Sequence, residues 1–194
     1  MKDGLILMPY KEMLDKFGRR VFKKMRASFS CARNQDVERF IHTECSKYEK
    51  DDNTRNYFLF DTDESEIAAF FTLSLHSIIL GDLVSNLDED TMSILRGYGK
   101  REARSVGCYL IGQLARNDKY NSGDITGDEI LSFIKSKLSE ALEIVAGRFV
   151  AIDCEAPLIP FYEKNSFVKV NRHGNLFTMI MPISNLPENQ DFKE

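Results

Sequence analysis

The chain has 194 residues, of which 43% are hydrophobic, 11% aromatic and 29% charged, with no Trp and a formal net charge of −4. This composition excludes a disordered chain, and at this length one core buries roughly 70% of the unfolded surface without a disulfide or structural metal. The acidic balance argues against non-specific nucleic-acid binding, though not against a local basic patch.

The only apolar run near the start, Leu5 to Met8, is too short for a secretory core. No stretch approaches the length of a membrane span, so a cytoplasmic protein is expected. Residues 11–26, KEMLDKFGRRVFKKMR, place Leu14, Phe17, Val21 and Phe22 at helical spacing. The segment reads as an amphipathic helix packed by that face, with Arg19, Arg20, Lys23, Lys24 and Arg26 on its polar side.

Phe29 to Cys31 reads as a short strand, and Asn34 or Asp36 as the cap of a helix bearing Val37, Phe40 and Ile41. Residues 47–55 form a polar loop. Asn56–Asp61 and Ile67–Leu75 are predicted to pair as an antiparallel hairpin. Residues 81–105, with Arg96, Lys100, Arg101 and Arg104, read as an inserted excursion. Val106–Ala115 is continuous enough in apolar residues to be a central strand. A polar segment, 117–127, then opens a helix from Asp128 to Val145 that Gly147 stops. The strand 149–153, a helix 157–164 with Pro in its first turn, and the strands 167–170 and 177–181 complete the pattern.

Cys31, Cys45, Cys108 and Cys154 form no CxxC pair and read as reduced core thiols; no metal site is expected. His42, His76 and His173 fall on separate elements. Of the three, His76 lies on a strand leading towards the expected cleft. Asp153 and Glu155 are general-base candidates that serve equally as strand-end hydrogen-bond acceptors.

Three blocks in order resemble the GNAT superfamily of acyl-CoA N-acyltransferases, and within it the bacterial toxin-type subgroup. LIGQLA (Leu110–Ala115) is similar to the central strand, ITGDEIL (Ile125–Leu131) to the pyrophosphate loop and its helix, and FVAIDCEAPLIPFYEKNSF (Phe149–Phe167) to the closing block. The resemblance covers about residues 27–183, without a counterpart for 1–26 or 81–105, and implies an α/β core there; with the N-terminal helix (1–26) and a tail (184–194) the chain reads as one domain over 1–194. Its sheet would be mixed and mostly antiparallel. The only parallel neighbours would be 106–116 and 149–154, splayed to admit the cofactor.

It further implies acetyl transfer from acetyl-CoA to a primary amine, with Tyr162 donating a proton to the leaving thiolate. Backbone N–H groups near Leu114, Ala115 and Arg116 would hold the oxyanion and the acyl arm. Ile125, Thr126, Gly127 and Asp128 would take the pyrophosphate at a helix start. The loop departs from the family: only Gly127 is retained, Ser122 stands at its first position and Ile125 at its second glycine. Arg116, Lys119 or Lys135 would supply positive charge. A helix simply capped by Thr126 or Asp124 is the plainer reading of the same residues. On charge grounds a small-molecule or protein amine ranks ahead of aminoacyl-tRNA as acceptor, and no membrane partner is expected. A GNAT-fold binding or regulatory module without catalysis is the alternative.

Overall fold

A computed structural model describes residues 2–79, 87, 89–96 and 105–186. The segments holding Lys100, Arg101 and Arg104, the side chain of Arg96 and the tail beyond 186 lie outside the described residues. The elements run β1 (Leu5–Pro9), α1 (Tyr10–Ala27), α2 (Gln35–Arg39), a π-helical turn (Phe40–Glu44), α3 (Cys45–Lys50), β2 (Arg55–Asp61), β3 (Glu66–Ile79) and α4 (Glu89–Arg96). They continue with β4 (Ser105–Arg116), α5 (Gly127–Leu142), β5 (Phe149–Glu155), a 3-10 turn (Ala156–Leu158), α6 (Ile159–Lys164), β6 (Val168–His173) and β7 (Leu176–Pro182).

Seven strands form one sheet in the order β1-β2-β3-β4-β5-β7-β6. The pairs β1–β2, β2–β3, β5–β7 and β6–β7 are antiparallel, whereas β4–β5 is parallel. This is the mixed, mostly antiparallel α/β architecture expected from the sequence. The parallel ladder holds three pairs, Tyr109↔Val150, Leu110↔Ala151 and Ile111↔Ile152, although β4 continues to Arg116 and β5 to Glu155.

The chain divides into two compact units, Met1–Ser74 with Gly112–Ile134, and Leu75–Ile111 with Lys135–Glu194. The first buries Met8, Met13, Phe22, Ile41, Phe58 and Phe70 as one cluster. The second buries Leu95, Val106, Cys108, Phe149, Ala151 and Ile180. Each large side chain sealed in this way contributes about 1.5–3 kcal/mol. All four cysteines are free and buried. Among the described residues no helix is long and apolar enough to cross a membrane.

Several expectations are corrected in the first unit. Residues 5–9 form an edge strand paired to β2 rather than part of a helical extension. In α1 the helix breaks at Gly18, whose φ of 71° lies in the left-handed region that glycine alone enters without cost. The break resets the helical phase. Phe22 is therefore buried and Leu14 and Phe17 partly so, while Val21, expected on the packed face, is 46% exposed. Arg26, expected on the polar face, is buried and donates to the Ile41 carbonyl at 2.9 Å, within the π-helical turn. Its guanidinium also sits 5.3 Å from the centre of the Phe22 ring.

Phe29–Cys31 is not a strand. Its backbone is drawn instead to side chains, with Ser30 N–H donating to Asn117 and Cys31 N–H to Glu38. Asn34 caps α2 as expected, accepting from the Asp36 and Val37 amides at 3.1 Å, and the helical path runs to Lys50 where a loop from 47 was expected.

In the second unit α5 ends at Leu142, and Val145 is exposed. Gly147 does not act as a left-handed stop. A Cβ there would fall 2.6 Å from the Tyr109 ring, so glycine is required by close approach. The Tyr109 hydroxyl donates to the Val145 carbonyl just past the helix end.

Asp61 is fully buried in the first unit. It accepts from Lys2 Nζ at 2.6 Å, the Tyr120 hydroxyl at 3.0 Å and the amides of Asp63 and Glu64. Burial alone would raise its pKa; the Lys2 ammonium, the two amides and Tyr120 more than offset this and hold it below the usual carboxylate value. A depressed folded pKa contributes stability that is present above about pH 4 and lost as pH falls through the folded value. Asp61→Asn should therefore lower stability at neutral pH and flatten the loss of stability below pH 4, as read by denaturant unfolding across pH.

Candidate active site

In the second unit α6 carries Tyr162. Pro157 lies in the preceding 3-10 turn and Pro160 at the start of the helix, where a missing N–H costs nothing. The helix is closed by Asn165 and Phe167 amides, both donating to the Tyr162 carbonyl at 3.0 Å. The Tyr162 ring is 4% exposed and packs edge-on against Phe161 and Phe167, with centroids 5.0 and 5.5 Å away. Burial first, and Cys154 second, push its phenol above the ordinary value, so the hydroxyl stays protonated throughout the neutral range. Among the described residues no hydrogen-bond partner is found for that hydroxyl.

The Cys154 thiol is itself pushed up to about 11, by burial first and Asp153 second, and its sulfur lies 3.5 Å from the Met179 sulfur. A thiol held neutral in this way is a packing group and not a nucleophile. Asp153 accepts from Thr178 Oγ1 at 2.6 Å across the β5–β7 pair, the strand-end bond anticipated for it.

In the first unit the end of β4 is held by Asn117, which is 1% exposed. Its amide N–H donates to the Ala68 carbonyl at 2.8 Å, and its side-chain NH2 to the Ile67 carbonyl at 2.9 Å. Its side-chain oxygen accepts from Ser30 and from the Lys119 amide. Sequence reading passed over Asn117 as one of several polar turn formers. Before it, Leu114 and Arg116 are half-buried and Ala115 buried.

The loop that follows is bonded to itself. Asn121 Oδ1 accepts from Gly123, the Asn121 carbonyl from Asp124 and Ile125, and Asp124 Oδ2 from Asn121. Thr126 and Glu129 form a reciprocal cap. Thr126 N–H donates to the Glu129 carboxylate at 2.7 Å, and Glu129 N–H to Thr126 Oγ1 at 3.1 Å. The T-x-x-E spacing before an apolar run was present in the sequence as its signal.

Arg116 is pinned to the Ile125 carbonyl at 2.7 Å, and Lys119 pairs with Glu66. Ile125 itself is fully buried, so shortening it to restore the family's glycine would open a core cavity rather than a phosphate cradle. Glu129→Gln keeps an acceptor for Thr126 N–H and removes a charge from the helix start. If phosphate binds there, acetyl-CoA affinity should tighten about threefold to tenfold by calorimetry. No change would exclude the helix start as the phosphate site.

His42 donates from Nε2 to the Phe29 carbonyl at 2.8 Å, while His76 on β3 and His173 beside Asn171 are exposed. Among the described residues no cluster of His, Cys, Asp and Glu could hold a metal ion.

No family model matches the chain. A curated relative, the probable toxin TacT of Sinorhizobium fredii (strain NBRC 101917 / NGR234), is 27% identical over 122 residues. That match covers 63% of this chain, and the chain spans 58% of the relative's length. A structure of AtaTR bound with AcCoA superposes with a TM-score of 0.68 at 13% identity, covering 95% of this chain and 96% of the other. AtaT complexed with acetyl-methionyl-tRNAfMet superposes at 0.63 with 15% identity, covering 82% and 88%. The chain has the fold of the GNAT-type toxins, as its sequence motifs imply.

Proposed function

We propose that this chain is an acetyl-CoA-dependent N-acetyltransferase, a single catalytic domain whose acceptor is the amine of an aminoacyl-tRNA. The observation that carries the enzymatic reading is the run β4–α5–β5–α6 with a parallel ladder only three pairs long. Strands that stop pairing leave backbone N–H and C=O groups available to an extended acyl arm. In this reading the backbone at Leu114, Ala115 and Arg116 receives the pantetheine arm and stabilises the oxyanion. The helix start at Thr126 to Asp128 faces the pyrophosphate, while Ile125, with its N–H donated to the Asn121 carbonyl and its side chain buried, shapes the turn before it. The amine forms the new C–N bond, the C–S bond breaks, and Tyr162 supplies the proton that the departing thiolate takes up.

Aminoacyl-tRNA replaces the small or protein amine ranked first on net charge. One neighbour of the same fold holds acetyl-methionyl-tRNA, and the sequence relative is a probable toxin. Net charge also averages over the whole surface, so it is a poor guide to one face. A second reading, a binding module without catalysis, draws support from the Glu129 carboxylate on the Thr126 N–H.

Calorimetric titration with acetyl-CoA separates the two. Micromolar binding, followed by thiol release when aminoacyl-tRNA is added, supports the enzyme. Millimolar or absent binding supports the module. Thiol release with free amines but none with aminoacyl-tRNA would remove the proposed acceptor and leave the enzyme.

A further inference from the structure

The eleven residues 16–26, KFGRRVFKKMR, hold six cations and no Asp or Glu, in a chain whose net charge is −4. Arg26 is buried, while Lys16, Arg19, Arg20, Lys23 and Lys24 are exposed. Among the described residues, none of the side chains of Arg19, Arg20, Lys23 and Lys24 makes a hydrogen bond or an ion pair. At about 100° per residue these four fall within about 140° of arc, as two rows in which successive charges rise about 6 Å along the helix.

The break at Gly18 separates this half from the first half of α1, whose exposed surface is of mixed sign through Glu12 and Asp15. Nothing lies within 4 Å of where a Gly18 Cβ would be, so the glycine serves the change of direction and not a tight fit. The cationic half is rigidly seated. Phe22 packs against Tyr10 and Phe58 with centroids 5.1 and 5.2 Å away, and Arg26 anchors the end of the helix.

Insertion into a lipid surface would require exposed apolar side chains beside the cations, and a protein partner would require aromatic or aliphatic anchors. Val21 is the one exposed large apolar group on this half, while Phe22 is turned inward. Phosphodiester contacts need neither: they are made by Lys and Arg alone and are paid back by counterion release. We propose that Arg19, Arg20, Lys23 and Lys24 on α1 form a binding strip for the phosphodiester backbone of an RNA. The aminoacyl-tRNA reading above supplies only the identity of that RNA.

The test uses the full chain, with deacylated tRNA as the probe and fluorescence anisotropy from 50 to 200 mM salt. It compares the protein with Arg19→Gln/Arg20→Gln/Lys23→Gln/Lys24→Gln. The expected result is steeply salt-dependent binding. In the variant, affinity should fall at least about tenfold and the log–log salt slope should become shallower by about three, with melting temperature and acetyl-CoA affinity unchanged. Equal affinity and slope in the two proteins would overturn the proposal. So would displacement of the tRNA by polyglutamate at equal charge concentration, which would assign the strip to acidic polypeptides. The probe carries no aminoacyl group, so the outcome is independent of acetyl transfer. If aminoacyl-tRNA proves not to be an acceptor while deacylated tRNA still binds through the strip, the proposed acceptor falls and this inference stands.

Discussion

Tyr162→Phe should slow acetyl transfer by about one to three powers of ten while leaving acetyl-CoA affinity within about a factor of two. The substitution removes one oxygen and keeps the ring, so the edge-on contacts with Phe161 and Phe167 persist and the fold is not the variable. What is lost in the proposed reaction is the proton donor. In the overall reaction the amine gives up one proton and the thiolate gains one, so the phenol acts as a relay with no net change. Burial raises its pKa, which keeps the relay loaded at every pH of an ordinary assay. If the proposed transfer is active, its rate in the native protein should accordingly show no alkaline fall below about pH 10, since the unperturbed phenol already titrates there and this one titrates higher. Single-turnover kinetics with calorimetry of acetyl-CoA binding reads both quantities. An unchanged chemical rate would return Tyr162 to the core as a packing aromatic.

The elements that were legible in the sequence are those whose apolar period and turn chemistry agree. The Val37, Phe40 and Ile41 face behind the Asn34 cap is buried as read, and the β2–β3 hairpin and the Ile130, Leu131, Ile134 and Leu138 face of α5 follow the same logic. The misreadings have physical causes. Five apolar residues without alternation hid β1, because a short edge strand carries no period of its own. Val21 was misplaced because a single glycine conformation at 18 shifts every later residue around the helix. Arg26 was misplaced because the π-helical turn offers a carbonyl at Ile41 that no propensity anticipates. The polar stretch Lys47–Lys50 remains helical because Cys45 is buried and Glu49 reaches the buried Asn56 at 2.7 Å. At the candidate site the residues that resemble the family could be named from sequence, but their bonding could not. The Thr126–Glu129 cap competes for the same amide that phosphate would use, and only coordinates show it closed.

Asn117→Ala should lower the stability of the protein by about 2–4 kcal/mol, a fall of about 5–15 °C in melting temperature for a chain of this size. The Ile67 carbonyl belongs to a fully buried residue and receives its side-chain hydrogen bond from Asn117 Nδ2, so truncation strips an acceptor that water cannot easily replace. The Ser30 and Lys119 groups that donate to Asn117 Oδ1 are less buried and recover solvent, so they add a smaller loss. The Asn117→Asp variant distinguishes this hydrogen bond from simple loss of packing. Its shape is preserved, but an ionised carboxylate has no proton for Ile67 and places a negative oxygen against that carbonyl. When protonated, the acid can donate again. Burial raises the pKa of such an acid, so this variant should be close to native in stability at low pH and lose stability as pH rises through the folded value. The alanine variant should differ from the native protein by the same amount at every pH. Because the Asn117 amide also bonds the Ala68 carbonyl directly after β4, the same loss should loosen the Leu114–Arg116 backbone. Hydrogen exchange at those amides should quicken in both variants. Unchanged exchange there, with a pH-independent Asp variant, would reduce Asn117 to an ordinary buried polar residue with no hold on the end of β4.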